Sequence, residues 1–196
     1  MEKLEFRLLR ADEIEVRVAK CTEKGVVLLL YKDARVDQNI LDETVGAMNW
    51  QRRHTRENAN CIVSIWDDTK KMWIEKEDTG KESNTEAEKG LASDSFKRAC
   101  FNWGIGRELY TSPFIWIAAG KAEIKAEIKP VGNKFACYDK FIVEKILYDD
   151  RRQIVALSII NSTKGKRCFV VDNRKDKGNG TDTGTTTENK GTGHEH

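Results

Sequence analysis

The chain has 196 residues, which suits one domain with a modest appendage, and 39% of them are hydrophobic, enough for a small core. Charged residues make up 34% in near balance, for a formal net charge of +2, so the chain has no global attraction for a polyanion. Any site for one has to be a local basic patch beside acidic surface.

Five cysteines, Cys21, Cys61, Cys100, Cys137 and Cys168, form no C-x-x-C pair. Their odd number and wide spacing read as reduced thiols in a cytoplasmic protein. His54, His194 and His196 complete no metal set, and no metal is expected. No apolar run approaches membrane-spanning length, and Met1-Glu2-Lys3-Leu4-Glu5-Phe6 lacks the apolar core of a signal peptide.

Residues 1–12 fit either a short helix or an extended lead-in. Glu13-Ile14-Glu15-Val16-Arg17-Val18-Ala19-Lys20 alternates strictly, as a half-buried strand does. After a turn at Thr22-Glu23-Lys24-Gly25, Val26 to Tyr31 is apolar throughout and predicts a strand covered on both faces. Asp33 can cap a helix from Ala34 to Val45 whose buried side is Val36, Ile40, Leu41 and Thr44. Arg35 lies in its first turn, where the helix dipole does not favour a cation.

Trp50-Gln51-Arg52-Arg53-His54-Thr55-Arg56 is the densest basic cluster. On a strand, Arg52, His54 and Arg56 share one side and Arg53 the other. Cations beside an aromatic suit a single strand, whose phosphates meet the charges while bases stack. Arg52 and Arg53 equally fit a solvated edge that discourages aggregation, and Trp50 reads as a core residue. Cys61 to Trp66 is a central strand, Asp67-Asp68-Thr69-Lys70 a turn, and Met72 to Glu77 the returning strand.

Gly80-Lys81 is not a phosphate-binding loop: Glu75 stands where the earlier glycine belongs, and Glu82 follows the lysine. Gly104-Ile105-Gly106 follows a helix and has Leu109 where a dinucleotide fingerprint needs Gly or Ala. No nucleotide cofactor is expected. Thr85 and Glu88 suit a capping box for the next helix. In that helix Ala92, Phe96, Ala99, Cys100 and Trp103 make one apolar stripe. Arg98 points away from the stripe, with Lys97 on its flank. Lys89 lies nearer the stripe, where its shaft can pack while the amine reaches out. By spacing alone this is an ordinary amphipathic helix with a solvated charged face.

Thr111-Ser112-Pro113 breaks the chain before a short apolar segment, Phe114 to Ile117. Residues 121–129 alternate Lys and Glu with Ala and Ile and read equally as helix or strand. Phe141–Tyr148, Ile154–Ile160 and Cys168–Val171 form a three-stranded meander, read as extra sheet that covers the core. Residues 173–196 carry too few apolar groups to order and are expected to be a disordered tail. The order of elements predicts an α+β fold: an antiparallel β-sheet, made of the hairpin and the first meander, packed with helices. The expected organisation is a core over residues 1–120, a β-rich extension over 121–172 and the tail.

The run from Asp94-Ser95-Phe96-Lys97-Arg98-Ala99 through Trp103-Gly104-Ile105-Gly106-Arg107-Glu108-Leu109-Tyr110 resembles the signature helix of the Rad-fifty-two superfamily of single-strand DNA annealing proteins. More closely, it resembles the bacteriophage Sak-type branch and its relative DdrA, and the likeness covers roughly residues 12–118. In that family an arginine opening the first helix contacts the DNA backbone. Arg35 occupies the matching position, with a one-residue difference in spacing from the animal proteins. Many members also have a DNA-contacting lysine at the position of Lys89. The resemblance implies binding and ATP-independent annealing of single-stranded DNA, in recombination and repair, by a ring-like homo-oligomer that is not an enzyme.

The expected DNA-binding residues are therefore Arg35, Arg52, Arg53, Lys89, Lys97 and Arg98. A single-strand DNA-binding protein is a further candidate partner, although the tail is not acidic enough to argue for it. The main alternative is a scaffold that binds a replication or recombination partner. A nuclease using Asp67, Asp68, Asp149 and Asp150 is a weaker one, since these sit in turns without a supporting motif.

Overall fold

Three antiparallel sheets and two α-helices make up the described part of the chain, residues 4–81, 87–127 and 134–174 of a computed structural model. The N-terminal lead-in is extended and ends in a 3-10 turn over Ala11–Glu13. The alternating segment forms β1 (Glu15–Thr22), paired with β2 (Gly25–Tyr31) as the expected hairpin. β2 is not covered on both faces: Val26 and Leu28 are buried while Leu29 is exposed. Helix α1 (Ala34–Val45) starts where Asp33 accepts the Arg35 backbone N–H at 2.8 Å. Ile40 and Leu41 are its buried residues, and Asp37 joins them.

The first meander is β3 (Trp50–Thr55), β4 (Asn60–Asp67) and β5 (Met72–Thr79), with β4 central as its apolar sequence requires. Arg56, Glu57 and Asn58 all have positive φ, so β3 ends before Arg56, which does not share a strand face with Arg52 and His54. Helix α2 (Ala87–Trp103) lies across β4 and β5 and beside α1. Phe96, Ala99 and Cys100 of the predicted stripe are fully buried, with Leu91 and Ser95 added to it. The proposed cap at Thr85 and the Glu88 side chain lie outside the described residues.

The hairpin and the meander belong to different sheets. Beyond α2 come β6 (Ile115–Ala118), the small ribbon β7 (Lys125–Glu127) and β8 (Lys134–Ala136), then β9 (Phe141–Tyr148), β10 (Ile154–Asn161) and β11 (Lys166–Asp172). The large sheet has the order β11-β10-β9-β1-β2-β6. β9 takes the free edge of β1 and β6 takes that of β2, so neither edge is left for β3. The C-terminal meander therefore extends the hairpin sheet. The ambiguous segment 121–129 is extended over Lys125–Glu127. Of the tail, Asn173 and Arg174 still bond to the sheet region, and residues 175–196 lie outside the described residues. All five cysteines are free thiols.

The six-stranded and three-stranded sheets and both helices share one core: Leu28, Ile117 and Ile159 from the former, Val63 from the latter, Ile40 from α1 and Phe96 from α2. Burying a side chain of this size contributes roughly 1.5–3 kcal/mol. The Gly-x-Gly segment after α2 has a structural reason. Gly106 has φ +76°, and a Cβ there would lie 2.2 Å from Cε of Lys32. Lys32 cannot yield, because its ammonium is buried in an ion pair with Asp37. Gly106→Ala is expected to cost about 2–4 kcal/mol, from a left-handed backbone plus overpacking. Chemical denaturation against the parent chain measures this.

Candidate nucleic-acid interface

On the outer side of the hairpin, polar positions of β1 face the open positions of β2. Arg17 is opposite Leu29, and Glu15 is opposite Tyr31. The Arg17 guanidinium lies 5.3 Å from the centre of the Tyr31 ring. Helix α2 runs alongside with Asp94, Lys97 and Phe101 one turn apart, and Tyr110 follows on a 3-10 turn over Arg107–Thr111. Together these walls enclose a groove of about 330 Å³, at the small end of ligand clefts.

Arg35 stands at the start of α1, 83% exposed, with its Nε 2.8 Å from Asp33 Oδ1. That hydrogen bond is the main reason the Asp33 carboxyl is held below its ordinary range, and the charge of Lys97 adds to it. Arg35 bonds this carboxylate directly, whereas Lys97, on the other helix, acts on it through its charge alone. Tyr31 is pushed up to about 12, first by its hydrogen bond to Glu15 and then by burial, so it is a neutral ring at physiological pH.

The floor is a buried pair. Lys32 is 1% exposed and Asp37 0%, and Lys32 Nζ donates to Asp37 Oδ1. The same ammonium lies 4.6 Å from the centre of the Phe101 ring. Asp37 Oδ2 has no hydrogen-bond partner among the described residues. Burial pushes the Asp37 carboxyl up to about 6, against the opposing pull of Lys32. Burial, and then the Asp37 charge, push the neighbouring Cys100 thiol well above its ordinary value.

The other predicted residues lie elsewhere. Arg98 turns from Lys97 toward β5, with its Nε 3.3 Å from Asp78 Oδ1. Arg52 sits at the opposite edge of that sheet, its guanidinium 4.8 Å from the Phe96 ring centre. Trp50 stacks on Phe96 at 6.2 Å and donates its indole N–H to Asp42 at 2.6 Å, as a structural residue. His54 reaches Ser95 at 3.4 Å, and burial followed by the charge of Arg52 lowers its pKa. Arg53 is on the far face, 4.0 Å from Glu75. Lys89 lies in α2, and its side chain is outside the described residues. So Lys97 lines the groove, Arg35 is bonded to Asp33 outside its lining but within reach of the Lys97 charge, and Arg52, Arg53 and Arg98 lie elsewhere.

Sequence reading missed Arg17, Tyr31, Phe101 and the Lys32–Asp37 pair. Asp37 was signalled: it falls on the α1 stripe, one turn before Ile40 and Leu41. The acidic turn residues have local partners. Asp67 accepts the N–H groups of Thr69 and Lys70, and Asp149 those of Arg151 and Gln153. Among the described residues no group of three or more metal-binding side chains forms, and no helix is long and apolar enough to cross a membrane.

The family model of the Rad52/22 double-strand break repair proteins matches residues 3–125, from the lead-in to the first residue of β7. The chain belongs to the Rad52/22 family. No curated protein and no solved structure matches it.

Proposed function

We propose that this protein binds single-stranded DNA along the hairpin–α2 groove and anneals complementary strands without ATP. The observation that carries this reading is one groove lined by Lys97 and Arg17 from opposite walls, with Arg35 at Asp33 within reach of the Lys97 charge, in a member of a double-strand break repair family. Annealing needs the backbone held by cations and the base edges left free, the reverse of a groove reader that addresses base edges. It makes and breaks no covalent bond, so no catalytic residue is assigned.

Asp94 lines the groove beside Lys97 and Asp33 pairs with Arg35, so one protomer neutralises few phosphates. Tight binding then comes from repetition along the strand, which calls for a ring-like homo-oligomer. The signature run supports placement on the Sak-type, DdrA-like branch. Arg52, Arg53, Lys89 and Arg98 are proposed as outlying backbone contacts, with a single-strand DNA-binding protein as a further partner.

The test is fluorescence anisotropy with a labelled oligonucleotide, alongside annealing of complementary strands without nucleotide. Affinity is expected to fall steeply between 50 and 200 mM salt, because bound cations displace counterions. Absence of binding together with a monomeric elution volume favours the partner scaffold instead.

A further inference from the structure

We propose that Tyr110 is a base-stacking residue, taking one nucleobase of the bound strand per protomer against its open ring face. The inference rests on the DNA-binding reading above and adds to it a contact with a base rather than with phosphate.

Tyr110 is 72% exposed, although aromatic rings of this size are usually drawn into contact with the core. What holds it is an edge-to-face contact with Phe101, 5.2 Å between centroids at 75°. That contact leaves most of the ring open. No group among the described residues hydrogen-bonds its hydroxyl. Phe101 cannot retreat, because the buried Lys32 ammonium lies against its ring and Gly106 gives Lys32 its place. The aromatic platform is thus backed by the buried Lys32 beside Gly106.

Tyr110 lines the same groove as Lys97 and Arg17, so a strand whose phosphates meet those cations passes the ring. The groove's volume of about 330 Å³ suits one nucleotide unit rather than a stacked run. Stacking reads no base edge, because every base has a π-face. One stacked base in each protomer sets the register of the strand and leaves the intervening bases outward for pairing. A purely structural Tyr110 would shield Phe101 and Lys32 and be indifferent to the bases.

The experiment uses the full chain and two probes of equal length: oligodeoxythymidylate and an abasic tetrahydrofuran backbone. The parent is expected to prefer the base-bearing strand by about 5- to 150-fold per stacked base. Tyr110→Ala removes that preference and leaves affinity for the abasic strand unchanged, while Tyr110→Phe keeps it. Equal affinity of the parent for both probes overturns the stacking role and leaves the phosphate-binding reading standing. An equal loss for both probes in Tyr110→Ala assigns the ring a structural role and also overturns it. Failure of the parent to bind either probe removes the DNA-binding reading and this inference with it.

Discussion

An Arg35→Ala, Lys97→Ala double variant is expected to bind single-stranded oligonucleotides about 100-fold more weakly than the parent at low salt. A hydrogen bond to a charged group is worth roughly 1.5–3 kcal/mol, and about 1.4 kcal/mol is tenfold in affinity. Two lost phosphate contacts should also flatten the dependence of log K on log salt by about 1.4. Folding should survive. The ion pair between Arg35 and Asp33 is exposed and contributes little, and Asp33 still caps α1 through the Arg35 backbone N–H. Arg98→Ala should have a smaller effect, since Arg98 faces Asp78 away from the groove. Arg53→Ala, on the opposite face of its sheet, should have the smallest. Anisotropy titrations at several salt concentrations rank the variants. Equal losses at Arg53 and Lys97 would mean that the strand does not follow this groove.

Lys32→Met is expected to destabilise the protein by about 3–5 kcal/mol, because it leaves the Asp37 carboxylate buried without its partner. Lys32→Met combined with Asp37→Leu should recover most of that loss, since an apolar pair avoids the desolvation of both charges. The pair also carries a pH signature. Burial raises the Asp37 carboxyl to about 6 from an ordinary value of 3.8, so the folded protein holds this proton more tightly than the unfolded chain does. Its contribution to stability is complete below the ordinary value and is lost as pH rises through about 6. Relative to the apolar double variant, the parent should therefore gain unfolding free energy as pH falls from 7.5 to 5. Urea midpoints at the two pH values read this, and a constant difference between the proteins would contradict it.

Most local elements were legible because their periodicities were unmixed. Alternation in β1, the Asp33 cap of α1, the apolar run of β4 and the stripe of α2 each state one local preference. Segment 121–129 was not legible, since an alternation of Lys, Glu, Ala and Ile serves helix and strand alike; pairing with Lys134–Ala136 makes its central part extended. The adjacent cations Lys97 and Arg98 suggested one basic face. Neighbours on a helix point about 100° apart, and here that angle sends one side chain to the groove and the other to Asp78.

By itself, the sequence determined the helices, most strand positions, the signature run after α2 and the small net charge, because these depend on residues near one another in the chain. Only the tertiary structure decided that the hairpin's partners are β6 and β9 rather than the first meander, since edge pairing joins segments far apart in sequence. It alone decided which cations share a groove. Arg17 and Lys97 come from two elements whose approach depends on a shared core. It alone also decided that Lys32, which reads as a surface charge beside a helix cap, is buried against Asp37, because that burial requires α1, α2 and Gly106 to pack together.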